Sequence, residues 1–485
     1  MKKITIATFA ISSLLFLASC SSDLTELNDN TKAFTVATPA SLMASAQKRY
    51  ADFLANADVN QNNFRMYAQQ SCQTEYVEEA NYNMTIRSMS DSNYINLYRD
   101  VLQDLNNAEQ ILKKEKTLSD EEVQIQKNKI AILEIQMVNA YQSLVDIFGN
   151  MPYSQALDIN NLTPVYDNGE TIYTDLINRL NIAIANLDTQ STSFGSSDLV
   201  YGGNVGKWKK YANCVKLKLG MHLVDVNPAT AKATVESAYN SGLISSNGDN
   251  AVFKYLNADP NGNPFFNLFN GNPHYNPTQF LVNTLNGLND PRIDKFLDPT
   301  SKIGGVYVGA VYGKKSLYKS SSSLNPQFRV RELPCLIFDY AETNLLLAEA
   351  AERGYNVGGT TESYYDKGIT ASMAYWGVAS ADVTNYLLQP SVAFATATGT
   401  PIQRIANQLW IAYFNRGFEA WTEYRRLDYP NLQAPPTAVA AANGKVPVRM
   451  IYSHLDKSQN STNYAAASAA IGGDLMTTKL FWDKN

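Results

Sequence analysis

Two stretches of this chain combine aromatic rings with side-chain amides outside any regular periodicity. Glu75-Tyr-Val-Glu-Glu-Ala-Asn-Tyr-Asn83 offers Tyr76, Asn81 and Tyr82. The stretch from Asn257 to Asn276 holds seven asparagines, Asn272 among them, with Phe265, Phe266, Phe269, His274 and Tyr275. A ring stacks on an apolar face, and an amide both donates and accepts hydrogen bonds, so such loops suit a neutral polar ligand. The expectation is a binding surface drawn from Tyr76, Asn81, Tyr82, Phe265, Phe266, Asn272 and Tyr275. The phenylalanines have an equal second reading, as pins that hold a long loop onto the body beneath.

Material for catalysis is thinner. Histidine occurs only at 222, 274 and 454, too scattered for a His-centred metal site or a triad. Glu75, Glu78, Glu79 and Asp91 include enough carboxylates for glycoside hydrolysis, which needs two about 5–10 Å apart, but chain spacing does not set that distance. Asp259-Pro-Asn-Gly-Asn263 opens like a calcium loop. Its glycine stands fourth and no glutamate follows at the twelfth place, so it reads as a turn. With 29 tyrosines and abundant asparagine, the composition favours binding over chemistry, and no metal or cofactor is expected. Net charge is −5, and the absence of a Lys/Arg-dense stripe argues against nucleic acid as a partner.

Cys20 is the other residue with chemistry of its own. Lys2 and Lys3 precede an uncharged apolar run, Ile4 to Ala18, which ends in Leu17-Ala-Ser-Cys20. This is the order of a secretory signal, and the terminal cysteine resembles the bacterial lipobox. There the thiol receives a diacylglycerol and the freed amine a further acyl chain. Each buried methylene stabilises membrane attachment by about 0.8 kcal/mol. The expected organisation is a signal peptide over 1–19, a lipidated Cys20 with a tether over 20–39, and one body over 40–485. The tether can extend roughly 60 Å at ~3.3–3.6 Å per residue. No second apolar run approaches the ~20 residues needed to span a bilayer. Cys72, Cys214 and Cys335 have no metal-like spacing, and the last two read as small buried hydrophobes.

Helical periodicity positions everything else. Ile130, Leu133, Met137, Tyr141, Leu144 and Phe148 form one apolar stripe, with Ser119 and Glu122 as a capping box and Gly149 and Pro152 as a stop. Further helices are expected around 172–187, from Trp208 to about Val224, and from Pro228 to near Gly242. Later ones run over 337–353, 362–376 and, as one long element, from Pro401 to about Arg426. Paired helices with short turns suggest tetratricopeptide-like stacking. Long irregular stretches lie at 60–95, 245–330 and 427–475, and Val306, Val308 and Val311 suggest a short hairpin within 296–333. The expected fold is mainly α, a helical scaffold carrying loops.

Ordered blocks along the chain resemble the SusD/RagB-like outer-membrane lipoproteins of Bacteroidetes. Leu144-Val-Asp-Ile-Phe-Gly-Asn-Met-Pro-Tyr-Ser-Gln-Ala-Leu157 is similar to the turn that ends their first long helix. Asp198-Leu-Val-Tyr-Gly-Gly-Asn204 with Lys207-Trp-Lys-Lys-Tyr-Ala-Asn-Cys214, Asp290-Pro-Arg-Ile293, and Tyr340-Ala-Glu-Thr-Asn-Leu-Leu-Leu-Ala-Glu-Ala350 follow in family order. Asn415-Arg-Gly-Phe-Glu-Ala-Trp-Thr-Glu-Tyr-Arg-Arg426 and Thr477-Thr-Lys-Leu-Phe-Trp-Asp483 complete the set. Asn150 departs from a usual acidic residue and Cys214 from a usual serine. Most of these residues read as scaffold: Trp208 and Trp421 as core anchors, and Glu419, Glu423, Arg416 and Arg426 as helix-face pairs. Glu342 and Glu349 likewise read as bridges between neighbouring turns.

The resemblance implies a SusD-like fold and a non-catalytic surface protein. Such a protein captures a nutrient, most often an oligosaccharide, and passes it to a SusC-like TonB-dependent transporter. An oligopeptide or other small nutrient is the alternative ligand, and a surface glycosidase the remote alternative. The family's ligand residues share no motif, so the loop residues above are inferred from this chain alone.

Overall fold

The computed structural model describes residues 37–269 and 274–484. Helices of eleven residues or more make its frame: α1 (Pro39–Ala55), α2 (Gln103–Lys114), α3 (Asp120–Phe148), α4 (Gly169–Asn186), α5 (Val205–His222), α6 (Pro228–Asn240), α7 (Tyr340–Glu352), α8 (Thr361–Tyr375), α9 (Pro401–Ala412) and α10 (Gly417–Leu427). The fold is mainly α, as the apolar stripes predict.

Local chemistry sets the helix ends. Ser119 Oγ accepts from Glu122 N at 3.2 Å, while Glu122 Oε2 accepts from Leu118 N, a capping box whose return bond falls one residue early. α3 then runs for 29 residues and stops at Gly149, whose φ of +91° suits only glycine without strain. Asn168, Asn204, Asn227, Asp339, Thr360 and Thr400 cap α4 to α9 by accepting first-turn N–H groups. Pro228 and Pro401 stand in the first turn, where a missing N–H costs nothing.

Consecutive helices pack in pairs: α1 on α2, α3 on α4, α5 on α6, α7 on α8, α9 on α10. α7 also lies against α5 and α9, so a single apolar core runs through Ile132, Leu144, Trp208, Leu345, Trp410 and Trp421. Three antiparallel two-stranded pairs complete the described structure. They join β1 (Ser71–Gln73) to β5 (Tyr275–Pro277), β2 (Met151–Pro152) to β3 (Tyr166–Asp167), and β4 (Ala251–Phe253) to β6 (Cys335–Phe338).

The structure corrects several expectations. Residues 401–426 are two helices, because Asn415 takes φ +67° and Gly417 packs on backbone, where a Cβ would stand 2.3 Å from Arg65 N. Ile337 and Phe338 belong to β6, and the helix begins only after Asp339 caps it. No hairpin ladder forms over 296–333; single bridges join Ile303 to Val306 and Leu297 to Leu324. The stretches read as irregular contain short elements, including Gln279–Gly287, His454–Gln459 and Ser461–Ala470.

The charged residues expected along helix faces lie inside. Glu342, Glu349, Glu423 and Arg426 are nearly inaccessible; the expected pairs Glu423–Arg426 and Glu349–Arg353 form along their own helices, and further pairs join different helices. Arg416 Nη2 donates to Glu342 Oε2 at 2.7 Å, and Arg426 Nη1 to Glu349 Oε1 at 2.7 Å. Lys218 Nζ stands 3.1 Å from Glu342 Oε1, and His222 Nε2 lies 3.0 Å from Glu423 Oε1. α5, α7 and α10 are thus joined by a buried ionic ladder, tolerable only because each charge has a partner. Trp208 and Trp421 are core anchors whose indole N–H groups reach Asp198 Oδ2 and Pro447 O. Cys72, Cys214 and Cys335 are free and buried.

Candidate ligand-binding surface

Arg65 organises the surface from beneath. Its Nη1 donates to Asn56 O at 2.6 Å and its Nη2 to Ala55 O at 2.9 Å, satisfying carbonyls that α1 leaves open at its C-terminal end. Its Nε reaches Asn415 Oδ1 at 3.0 Å, so one guanidinium ties α1 to the α9–α10 corner. Phe265 lies against that guanidinium at 5.0 Å and fastens the segment around 263–269 onto the same corner.

β1 and β5 bring the two aromatic loops together across some two hundred residues of sequence, with Ser71 opposite Pro277 and Gln73 opposite Tyr275. Thr74 N donates to His274 O at 2.7 Å, and Ser316 N donates to Thr74 O at 2.8 Å, which adds a third segment. Beyond this last bond the chain leaves the ladder and Tyr76 emerges, 51% exposed. Its ring meets His274 edge-on, with centroids 5.6 Å apart and planes at 84°. His274 in turn lines a groove of about 390 Å³ with Asn56, Asn60, Gln61, Asn267 and Leu268. An exposed ring, an imidazole and a row of amides therefore share one face. The arrangement can stack on a flat apolar patch and hydrogen-bond hydroxyl or amide groups beside it.

The sequence-predicted residues divide sharply. Tyr76 is exposed. Phe266 is half-buried, with the Arg331 guanidinium 4.7 Å from its ring. Tyr82 is wholly buried, a correction to the exposure expected of it: successive turns fold Val77 to Met84 back on itself and roll the ring inward against Tyr67 and Tyr312. Asn81 is also buried and works as a staple, donating to Val77 O and Gly313 O and accepting from Thr437 Oγ1. Tyr275 and Phe265 are buried too, but Tyr275 still lines the groove beside His274, whereas Phe265 packs beneath Arg65. For Phe265 the pin is the reading that fits. Asn272 and Cys20 lie outside the described residues.

The run Asn56-Ala-Asp-Val-Asn-Gln-Asn-Asn63 was not among the expected site residues, yet it supplies much of the groove. Its density of amides immediately after a helix end was the available signal. Two of the four loop carboxylates are committed elsewhere: Glu79 pairs with Arg87 at 2.9 Å, and Asp91 accepts from Ser453 Oγ at 2.7 Å. Asp259 pairs with Arg331 within a closed turn. No group of three His, Cys, Asp or Glu among the described residues could hold a metal.

Paired helices that carry loop-built aromatic and amide surfaces define a class of binding scaffold. Residues 31–453 match the SusD-like family described as "Starch-binding associating with outer membrane", and the chain belongs to that family. Among solved structures, a chitin-binding protein is 27% identical, with a TM-score of 0.80 over 92% of this chain and 100% of that one. A SusD homolog from Bacteroides uniformis is 26% identical, with a TM-score of 0.78 over 92% and 99%. A chitin-binding SusD homolog from Flavobacterium johnsoniae is 25% identical, with a TM-score of 0.75 over 91% and 99%. No curated protein matches the chain.

Proposed function

We propose that this protein captures a glycan at the cell surface and delivers it to a SusC-like TonB-dependent transporter, held to the outer membrane by acyl chains on Cys20. The observation that carries the reading is the Tyr76–His274 pair beside the amide-lined groove. Sugar rings offer C–H faces to an exposed aromatic and hydroxyls to amides, and binding of this kind needs no catalytic group. The chitin binding named for two similar structures supports a glycan as the ligand. Tyr76 is the residue assigned to stacking, with Phe266 on the adjoining segment and Asn60 and Asn267 as hydrogen-bonding partners.

Calorimetric titration of the purified protein with chito-oligosaccharides and malto-oligosaccharides tests the ligand class. Binding of either without released products is the expected result. Binding of an oligopeptide library alone, or hydrolysis of the bound glycan, overturns it. Palmitate incorporation that persists in Cys20→Ala removes the anchor, and failure of the tagged protein to co-purify a large β-barrel removes the delivery step.

A further inference from the structure

The groove beside Tyr76 and His274 carries a charge that the amide-rich sequence around it does not announce. Among the described residues that line it, Asp58 is the one carboxylate, and neither lysine nor arginine joins it. Asp58, Asn60 and Asn267 are exposed and Gln61 is half-buried, so a molecule lying in the groove can touch their side chains.

The turn that follows α1 fixes how this carboxylate is presented. Asp58 O accepts from Gln61 N at 2.8 Å and from Asn62 N at 2.9 Å, which closes the turn. Asp58 N donates to Asn56 Oδ1 at 2.8 Å, and Asn56 Nδ2 donates to Gln61 Oε1 at 2.7 Å. Asp58 Oδ1 accepts from both the backbone N and Nδ2 of Asn60, each at 2.8 Å. One carboxylate oxygen is thus held in place by the turn, as an Asx turn requires. The other, Oδ2, accepts nothing among the described residues and is left to solvent or a ligand. A group already fixed in its binding orientation loses little entropy when a ligand arrives.

Neighbouring charges are spoken for. Glu79 pairs with Arg87 at 2.9 Å. Arg65, beneath the floor, lines the adjoining cavity instead, together with Glu419. Asp58 itself forms no ion pair among the described residues, so the groove offers one uncompensated negative charge on an otherwise neutral amide rim. A hydroxyl can donate to Oδ2 but leaves that charge unbalanced. A protonated primary amine carries three donors and no acceptor, and it balances the charge as well. The exposed ring of Tyr76, on the same face, attracts a cation to its flat side.

We propose that the groove prefers a sugar unit bearing a free, protonated amine over its N-acetylated or hydroxylated counterpart, and that Asp58 sets the preference. The inference rests on the reading of the protein as a glycan binder and narrows the glycan to an amino sugar. The ring hydroxyls of such a unit fall to Asn60, Gln61 and Asn267, which a lysine side chain would leave unused.

Calorimetric titration of the full chain with three β-1,4-linked tetramers tests it. Those of D-glucosamine, N-acetyl-D-glucosamine and D-glucose differ only in the amine, acetamide or hydroxyl at carbon 2. The glucosamine tetramer is expected to bind about tenfold more tightly than the other two, the size that an exposed ion pair with a cation–π contact allows. Added salt should shrink the margin, because both charges are open to screening. Asp58→Asn keeps the oxygen that accepts from Asn60, so the turn persists, and it is expected to cut the margin to about threefold or less. If a thermal melt shows that variant destabilised, Asp58→Ser, whose hydroxyl also accepts in such a turn, carries the test. Glu121→Gln removes an equal charge from the exposed first turn of α3 and should leave the margin intact. Equal binding of the three tetramers overturns this inference alone. So does a margin that survives at Asp58, one that falls equally in Glu121→Gln, or tighter binding of tetralysine than of the glucosamine tetramer. Failure of all three sugars to bind overturns the glycan reading with it.

Discussion

Arg426 and Glu349 face each other as a two-pronged pair in the centre of the helical body, Nη1 to Oε1 at 2.7 Å and Nη2 to Oε2 at 2.5 Å, both fully buried. Arg426 also donates to Glu423 Oε2, so this guanidinium holds α10 to α7 and to its own preceding turn. Removing one member strands a charge that water cannot reach. Glu349→Ala is expected to destabilise the fold by about 3–5 kcal/mol. Urea unfolding monitored by circular dichroism checks this. A double replacement by well-packed apolar residues should cost much less, and equal losses in the single and double variants would refute the account.

His222 gives the fold a pH dependence with a definite sign. Burial lowers its affinity for a proton, but Asp146 and Glu423 outweigh burial and raise its pKa above the ordinary value of 6.5. The protonated ring therefore contributes stability that is fully present below the unfolded value and is lost as pH rises through the folded one. Unfolding free energy measured from about pH 6 to 9 should fall across that window, and His222→Gln should flatten the slope. An unchanged slope in the variant would place the titration elsewhere.

Tyr76 and Tyr82 should behave as opposites. Tyr76→Ala removes an exposed ring, so oligosaccharide affinity is expected to fall about tenfold, near the ~1–1.5 kcal/mol that a stacking contact contributes, with thermal stability unchanged. Tyr82→Ala empties a buried site against Tyr67 and should cost about 3–5 kcal/mol of stability. Calorimetry and thermal melts on both variants separate the two roles.

The three thiols should be silent. Burial pushes Cys72, Cys214 and Cys335 each up to about 12, so almost no thiolate exists at neutral pH. Alkylation by iodoacetamide is expected only after unfolding, and mass spectrometry of the native protein would expose any exception.

Gly417→Ala is expected to unfold the corner between α9 and α10. The added carbon would lie 2.3 Å from Arg65 N and 2.6 Å from Arg65 Cα, and neither backbone atom has room to yield. Thermal denaturation should show a loss larger than the ~1–3 kcal/mol of ordinary overpacking.

These last cases show what could be read from residue order and what could not. The stripe from Ile130 to Phe148, the cap at Ser119 and the stop at Gly149 are local, and each appears as expected. The break at Asn415 is not local, because it depends on backbone contributed by Arg65, 350 positions away. Strand pairs of two to four residues carry too little alternation to announce themselves. The loops were legible as aromatic and amide-rich, but whether a given ring faces water or the core was not. A compact turn inverted Tyr82, while the end of the β1 ladder released Tyr76.

The pairing of β1 with β5 also governs when this protein can work. Nothing near residue 71 is complete until residue 277 has been made and docked, and the Arg65 anchor beneath waits further for Asn415, so the aromatic and amide surface forms only once most of the chain is available. A product truncated before residue 275 would carry Tyr76 and the amides of 56–63 and still lack the surface. An intact surface thus reports that the chain has folded at least as far as the corner at Asn415.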